Sequence, residues 1–409
     1  MEIEKITGRI AQDLEYLKKF TATPGEGCTR LPFTKEAREA VNYLREIMEE
    51  IGLEVHEDEA GNVIGILRGT DPDAPCVMSG SHYDSVIHGG NYDGIGGVVC
   101  SIEMARQIVE SGMEHKRDLV VVGFNDEEGM RFGTGYFGSG AILGHRDETY
   151  TEQFKDASGI SIAEAMKEYG LDPAKVGDAA WKEGSIGHFV EAHIEQGPVL
   201  DQKELVTGIV GIQRYMVTVH GRADHAGTTP MDMRMDAVDT ASKVICKIAD
   251  WAREKADGTV ATVGFMNVTP GGMNIVAEKV EFTVDIRSMN NDNINDIARR
   301  IRAALERECK IMGGTYEIDT KLVIEPVALD AGMLDTLEDS CKERGYSYMR
   351  LPSGAGHDSL EIGQQLPTVM LFVSSKDGRS HAPVEFSKYS DLAKASVLMT
   401  DLVEKLLNE

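Results

Sequence analysis

Potential metal ligands follow predicted strands at several points of this chain. They occur in residues 80–84, 91–94, 125–129 and 191–197, and a further histidine lies in residues 380–383. Together these segments supply three histidines, a glycine-flanked aspartate and a tandem glutamate pair. This set suffices for two divalent ions that share a water molecule, with one carboxylate left over to move a proton. The fold must therefore bring the C-terminal histidine next to ligands from the first half of the chain.

Short apolar runs alternate with helical periodicity in the first part of the chain, which predicts an α/β sheet flanked by helices. Open sheets of this kind bind ligands at the carboxyl ends of their strands, and metal-type residues stand just there. The prediction is for helices at residues 3–20, 34–52 and 95–112, with Thr34 as the N-cap of the second, and for strands at 62–68, 75–80 and 118–124.

From about residue 209 the pattern changes to β-α-β-β-α-β, which predicts an inserted ferredoxin-like α+β domain. We expect it to span 209–324, while 1–208 and 325–409 form one discontinuous domain with a central mixed sheet, because His381 must join the ligands of the first piece. The predicted elements are strand 209–220, helix 233–255, strands 260–268 and 277–288, helix 292–312 and strand 315–324, followed by helix 331–344, strand 368–373 and helix 388–407.

Composition excludes several classes of partner. The formal net charge of −26 and the lack of a basic stripe argue against binding of nucleic acid or anionic membrane surfaces. No apolar run is long enough to span a membrane, and the N-terminal residues lack the apolar core of a signal peptide. The six cysteines are scattered without a CxxC pair. We therefore expect a cytoplasmic protein with reduced, mostly buried thiols.

The first two ligand segments have a plausible geometry. His82 and Asp84 are one residue apart and would point to the same side of an extended segment, so His82 could bind metal while Asp84 holds its other ring nitrogen. Glycines on both sides of Asp93 allow the close approach that a bridging carboxylate needs. Asp93 could instead, or also, cap the helix at 95–112.

Two adjacent acids, Glu127 and Glu128, end a buried strand, which is costly unless a cation neutralises them. Their side chains should diverge, so that one binds metal while the other faces the substrate; the alternative is a solvated loop. An alternating segment places Glu191, His193 and Glu195 on one face. Taken alone, His193 is better explained as a core histidine.

Together these motifs resemble those of the hydantoinase/carbamoylase amidases, which are cousins of the aminoacylase and carboxypeptidase-G-type metallopeptidases. The resemblance extends over essentially the whole chain. It implies metal ligands at His82, Asp93, Glu128, His193 and His381, with Asp93 bridging two divalent ions and Glu127 as general base. The strings that carry it are Gly-Ser-His-Tyr-Asp-Ser-Val (80–86), Gly-Gly-Asn-Tyr-Asp-Gly (89–94), Asp-Glu-Glu-Gly-Met-Arg-Phe-Gly (126–133), His-Ile-Glu-Gln-Gly-Pro (193–198), Asp-His-Ala-Gly-Thr-Thr-Pro-Met (224–231), Pro-Ser-Gly-Ala-Gly-His-Asp-Ser (352–359) and Ser-His-Ala-Pro (380–383).

The same resemblance gives the inserted domain a role as lid and dimerisation domain. His225 looks like the histidine that reaches the neighbouring active site of a homodimer, and Asn274 and Arg287 look like a clamp on the substrate carboxylate. A surface ion pair is the alternative for Arg287. Further site-lining residues would be Gln196, Gln213 and His357, the last of which could equally be structural.

The implied reaction is hydrolysis of a linear C–N amide in a small ureido or carbamoyl acid, with release of ammonia. An N-carbamoyl-L-amino acid and allantoate are the competing substrates. The metallopeptidase cousins usually have an acid where this chain has His193, which favours the ureido branch. Alternatives are an N-acyl-amino-acid deacylase or peptidase and, more remotely, a non-catalytic metal-binding dimer. The ligands suit zinc, manganese, cobalt or nickel alike.

Overall fold

Residues 3–200, 208–209 and 211–409 are described by a computed structural model, in which apolar runs form strands and amphipathic segments form helices. Contacts within the chain divide it into two units, Met1–Thr207 with Ala328–Glu409, and Gly208–Val327. The strands are β1 (Glu54–Glu57), β2 (Val63–Leu67), β3 (Cys76–His82), β4 (Leu119–Phe124), β5 (Ile186–Ile194), β6 (Gly208–Ile209), β7 (Gly211–His220), β8 (Val260–Thr262), β9 (Met266–Thr269), β10 (Lys279–Ser288), β11 (Thr315–Ile324), β12 (Val327–Ala328), β13 (Pro352–Ser353) and β14 (Thr368–Val373).

Several helices begin at side-chain caps. Thr34 accepts a hydrogen bond from the Ala37 amide, as predicted, and Ser161 forms a capping box with Glu164. The helices are α1 (Ile3–Leu17), α2 (Lys35–Glu50), α3 (Ile95–Ser111), α4 (Phe137–Ile142), α5 (Glu148–Gln153), α6 (Ile162–Tyr169), α7 (Ala237–Arg253), α8 (Asn291–Met312), α9 (Ala331–Arg344), α10 (Asp358–Ile362) and α11 (Tyr389–Leu406). No helix in these described parts is long and apolar enough to cross a membrane.

The first unit is built around a mixed sheet with the strand order β1-β2-β4-β3-β5-β14. β3 is parallel to β4 and β5, and β14 is parallel to β5, whereas β2 is antiparallel to β1 and β4. Parallel strands end at the same edge of a sheet, so the carboxyl ends of β3, β4, β5 and β14 meet there. The predicted α/β class and mixed sheet are confirmed.

Helices cover both faces of this sheet, and β3, β4 and β14 are buried along their whole length. On one face Met78 packs in a cluster with Ile142 of α4 and Ile362 of α10. Ser79 points to the opposite face, where it hydrogen-bonds Ser101 of α3. The buried strands leave only their ends and the following loops accessible.

The second unit has the strand order β11-β7-β10-β8, with β9 also paired to β10, and all these pairings are antiparallel. With α7 and α8 as crossovers, this is a ferredoxin-like arrangement. Phe282 and Ile286 of β10 pack with Val244 of α7 and Ile297 of α8. Side chains alternate along a strand, so Arg287 lies on the other face of the sheet.

Two predicted boundaries differ from the structure in ways that matter. Residues 260–268 are not one strand but two, β8 and β9. Thr262 pairs with Asp285 and Met266 pairs with Phe282, so three residues face two on β10 and the ladder is interrupted as at a bulge. The predicted strand 75–80 continues to residue 82, while β1, α4, α5, α6 and α10 were not predicted. Of the cysteines, Cys246 is exposed and the others are buried.

Candidate metal centre

The predicted ligands of the first unit converge at one edge of its sheet. His82 is the last residue of β3, and His193 is the penultimate residue of β5. Glu128 follows β4, His381 follows β14, and Asp93 lies just before α3. Because β3, β4, β5 and β14 are parallel neighbours, their ends carry these side chains to one place.

Asp93 stands at the centre of the cluster and presents a different oxygen to each side. Its Oδ1 lies 3.2 Å from Nε2 of His193 and 3.6 Å from Nε2 of His82. Its Oδ2 lies 3.2 Å from Nε2 of His381. Ligand-type atoms lie within 4.8 Å of one another both in the group His82–Asp93–His193 and in the group Asp93–Glu128–His381. One carboxylate thus belongs to two potential metal positions.

The turn that carries Asp93 is packed against the His82 ring. Gly94, at a φ of 63°, is the N-cap residue of α3, and the Asp93 side chain does not cap this described helix. A Cβ atom on Gly94 would lie 2.3 Å from Cε1 of His82. Only glycine therefore permits both this backbone conformation and this close approach. The capping alternative for Asp93 is not found.

The adjacent glutamates diverge, as predicted. Asp126, at a φ of 57°, turns the chain after β4. Glu127 Oε2 then lies 3.8 Å from Nε2 of His82, whereas Glu128 Oε1 lies 3.4 Å from Nε2 of His381. Each glutamate therefore lies next to a different histidine. Glu127 is outside the two Asp93-centred groups, but its carboxylate forms a third group with His82 and Glu128, in which ligand-type atoms lie within 4.8 Å of one another.

Asp84 organises both sides of this arrangement. Its Oδ1 lies 3.4 Å from Nδ1 of His82, on the ring nitrogen that faces away from Asp93. The same carboxylate accepts hydrogen bonds from the backbone amides of Glu127 at 3.0 Å and Glu128 at 3.2 Å. It thus fixes the turn that aims the two glutamates as well as the His82 ring.

Proton binding reflects the concentration of carboxylates. Burial raises the pKa of Asp93, but its close contacts with the imidazole rings of His193, His381 and His82 outweigh burial and hold that pKa well below its usual range. Hydrogen bonds to Asp93 and Glu128 raise the pKa of His381 to about 11. Burial raises the pKa of Glu127 well above its usual range, although the charge of His82 lowers it. The carboxylates thus draw protons onto the imidazole rings.

These features fit divalent ions. Asp93 Oδ1 and Glu128 Oε1 are buried, yet they accept no well-formed hydrogen bond from any described residue. Nε2 of His82 and Nε2 of His193 lie 3.4 Å apart. Both nitrogens belong to the group that includes Asp93, so one cation could bind all three side chains. A cation replaces the protons in such a set and neutralises the buried charge. The donor set suits borderline divalent metals.

Two residues predicted to bind substrate, Gln196 and His357, contact the metal-ligand cluster itself. Gln196 donates from Nε2 to Asp93 Oδ2 at 2.8 Å, so it touches the cluster directly. His357 is 1% exposed, its ring centroid lies 4.4 Å from that of His193, and its Nε2 lies 2.9 Å from Oγ of Ser353. Burial, with the charge of His193, lowers the pKa of His357 well below its usual range. His357 also belongs, with Glu191 and His193, to a group whose ligand-type atoms lie within 4.8 Å of one another. Its site-lining role and its structural role both stay predictions.

Two buried glutamates near the cluster were not predicted as site residues. Glu191 accepts hydrogen bonds from Oγ of Ser81 at 2.8 Å and from the Ser359 amide at 2.9 Å, and so ties β5 to β3 and α10. Glu385 accepts from the Asp93 amide at 3.0 Å. The alternating pattern of β5 places Glu191 on the same face as His193, so its position near the cluster could be predicted. Glu385 lies in an irregular segment, where no pattern predicts the direction of a side chain.

His225 and Asn274 lie in neighbouring exposed segments of the second unit, where the Ala226 amide donates to the Asn274 carbonyl at 3.0 Å. Nδ1 of His225 lies 3.1 Å from the Gly227 amide and 3.2 Å from the Thr228 amide. A nitrogen that accepts from backbone amides carries no proton, so the proton of the neutral ring is on Nε2. His225 therefore presents an outward hydrogen-bond donor.

Arg287 and Gln213 point to opposite faces of the second sheet. Arg287 donates to Asp285 from Nε at 2.8 Å and from Nη2 at 3.2 Å. Arg287 therefore forms an ion pair, which is the alternative to a role in binding the substrate carboxylate. Gln213 is 7% exposed, donates to Asn295 of α8 at 3.0 Å and accepts from the Tyr215 hydroxyl. Gln213 thus has hydrogen-bond partners within the unit, and its site-lining role stays a prediction.

Comparisons with known proteins agree on one family. The family model described as Peptidase family M20/M25/M40 matches residues 71–405. An N-carbamoyl-L-amino-acid amidohydrolase of Paenarthrobacter aurescens is 38% identical over 402 residues, which cover 97% of each chain. An allantoate amidohydrolase of Bacillus subtilis is 35% identical over 99% of this chain and 100% of its own. A hydantoinase/carbamoylase family amidase from Burkholderia multivorans superposes with a TM-score of 0.89 at 30% identity over 98% of both chains.

Proposed function

Because this chain belongs to peptidase family M20/M25/M40, we propose that it is a metal-dependent amidohydrolase of a ureido or carbamoyl acid. The observation that carries the proposal is the position of Asp93, with one oxygen toward His82 and His193 and the other toward His381. The names of its relatives, N-carbamoyl-L-amino-acid and allantoate amidohydrolases, support this substrate class. Both substrates remain candidates.

In this proposal two divalent ions bind in each chain. His82 and His193 hold one, Glu128 and His381 hold the other, and Asp93 bridges them. Divalent ions at such ligands polarise an amide carbonyl and make water acidic enough to lose a proton near neutral pH. Zinc, manganese, cobalt and nickel all suit these donors.

Glu127 is the proposed general base and acid. It takes a proton from the attacking water and returns it to the departing nitrogen, a role that suits a carboxylate whose pKa is raised by burial. Asp84 holds the backbone of Glu127 in place. For a carbamoyl acid, one water adds and one C–N bond breaks, which gives an amine and a carbamic acid. The carbamic acid then loses carbon dioxide as its own C–N bond breaks, so the products are the amino acid, ammonia and carbon dioxide.

The second unit supplies the remaining groups in this proposal. His225 donates from Nε2 to the oxygen that gains negative charge. Asn274 and Arg287 bind the substrate carboxylate, for which the planar guanidinium of Arg287 is suited. Asp285 orients this guanidinium through its hydrogen bond with Nε. We also propose a cytoplasmic homodimer in which His225 serves the partner's site.

A panel of substrates tests the proposed function. Purified protein is incubated with manganese, zinc or nickel and with allantoate, N-carbamoyl-L-amino acids, β-ureidopropionate or N-acetyl-amino acids, and ammonia is measured together with free amine. We expect ammonia from allantoate or the carbamoyl acids, none from Glu127→Gln, and no hydrolysis of the acetyl compounds. Cleavage of only the acetyl compounds would identify a deacylase instead.

A further inference from the structure

A buried carboxylate outside the predicted ligands, Glu385, contacts the segment that carries Asp93. Its Oε1 accepts hydrogen bonds from the backbone amides of Tyr92 at 2.9 Å and Asp93 at 3.0 Å. Its Oε2 lies 2.8 Å from Oγ of Ser380, and that oxygen lies 2.9 Å from Oδ2 of Asp93. Glu385 is 4% exposed. It therefore contacts Asp93 twice, directly at the backbone and through Ser380 at the carboxylate.

The Glu385 carboxylate also packs against a glycine, Gly90. Glu385 lies over Gly90, where an added Cβ atom would stand 1.8 Å from Oε1 of the carboxylate. Gly90 belongs to the loop after β3 and Glu385 to the loop after β14. The pair thus joins the loop that carries Asp93 to the loop that carries His381.

We propose that Glu385, with Ser380 as its intermediary, is a positioning residue that sets the direction of the two Asp93 oxygens. This rests on the proposed function, in which Asp93 bridges two ions. A bridging carboxylate must present each oxygen in a fixed direction. Glu385 restrains the backbone of Asp93 directly, and Ser380, whose hydroxyl has a single proton to donate, lies between Glu385 Oε2 and Asp93 Oδ2. Removal of groups that orient metal ligands typically weakens metal affinity about 10- to 100-fold.

Glu385→Met tests this with manganese ion as the probe. The substitution roughly keeps the length of the side chain but removes both carboxylate oxygens, so the Tyr92 and Asp93 amides and the Ser380 hydroxyl lose their partner. We expect the manganese dissociation constant of the metal-stripped protein, measured by competition with a chelator, to rise about 10- to 100-fold. Turnover should recover largely at saturating metal. Ser380→Ala should weaken binding in the same direction, and Ser380→Thr, which keeps the hydroxyl, should not.

Glu164→Met is a control at an exposed position with similar hydrogen-bond donors. Glu164 also accepts from a backbone amide and a serine hydroxyl, those of Ser161 at 2.8 Å and 3.1 Å, but it does so in the cap of α6. We expect its manganese affinity to equal that of the wild type. An equal loss in both variants would mean a general structural effect rather than positioning, and would overturn the proposal.

Gly90→Ala approaches the contact from its other side. The added methyl group displaces the Glu385 carboxylate, so this variant should lose manganese affinity like Glu385→Met. The double variant Gly90→Ala/Glu385→Met should be little worse than either single one, because all three remove one contact. Additive losses, or unchanged affinity in folded Glu385→Met, Ser380→Ala and Gly90→Ala, contradict the positioning role while the proposed function stands. Wild-type protein that binds no divalent ion overturns both.

Discussion

At the scale of residues, the cluster is a set of charges that needs a cation. Contacts with the rings of His193, His381 and His82 more than offset the effect of burial and lower the pKa of Asp93. Asp93 and Glu128 raise the pKa of His381 to about 11. Metal binding at these ligands competes with protons for the imidazole nitrogens.

The adjacent glutamates allow a test of divided roles. Glu127→Gln should keep the fold and bind metal like the wild type, because Glu127 is proposed as the base and not as a ligand, although its carboxylate shares a group of ligand-type atoms with His82 and Glu128. It should lose turnover by at least about 10²- to 10⁴-fold, as loss of a proton-transfer group does. Glu128→Gln should instead weaken metal binding, which elemental analysis and metal titration measure. If the two variants exchange these phenotypes, the assignment of base and ligand is reversed.

At the scale of elements, parallel strand ends and the start of α3 create the site. α3 offers a matched pair of glycines, since Gly94 before it has a φ of 63° and Gly112 after it has a φ of 67°. An added Cβ on Gly94 meets the His82 ring, whereas one on Gly112 meets no atom within 4 Å.

Gly94→Ala and Gly112→Ala should therefore differ in metal binding. Both should lower the free energy of unfolding by about 1 kcal/mol or more, because alanine is strained at positive φ. Gly94→Ala should be the more destabilising and should also reduce metal affinity, since the methyl group pushes the His82 ring. Denaturant titration of metal-free protein and metal titration measure the two effects. Equal metal affinities in the two variants would contradict the packing of Gly94 on His82.

How far the sequence predicts this site depends on where each residue lies. His82 and Glu128 follow apolar runs whose parallel strand ends must meet, so their convergence is predictable. Gln213 lies on the same face of β7 as the apolar residues that pack against the helices, so its burial could have been inferred too. Glu385 could not, because its burial depends on a contact with Gly90 that no local pattern encodes. His357 follows an irregular segment, in which periodicity does not determine side-chain direction.

At the scale of the whole molecule, the proposed homodimer predicts complementation. Homodimers of His225→Ala and of Glu127→Gln should each be nearly inactive. After subunit exchange, a mixed dimer has one site that combines an intact Glu127 with the partner's intact His225, and activity should partly return. Native mass spectrometry verifies the exchange. If exchange is complete without any recovery, His225 acts within its own chain or not at all.

The central claim is that the side chains around Asp93 form a catalytic centre for two divalent ions, and a metal titration tests it most directly. Metal-stripped protein is titrated with manganese or zinc while bound metal and ammonia release from a carbamoyl or ureido acid are followed together. We predict no activity without metal, a rise in activity with binding, and saturation at two ions per chain. Full activity in protein shown by elemental analysis to be metal-free would contradict the claim.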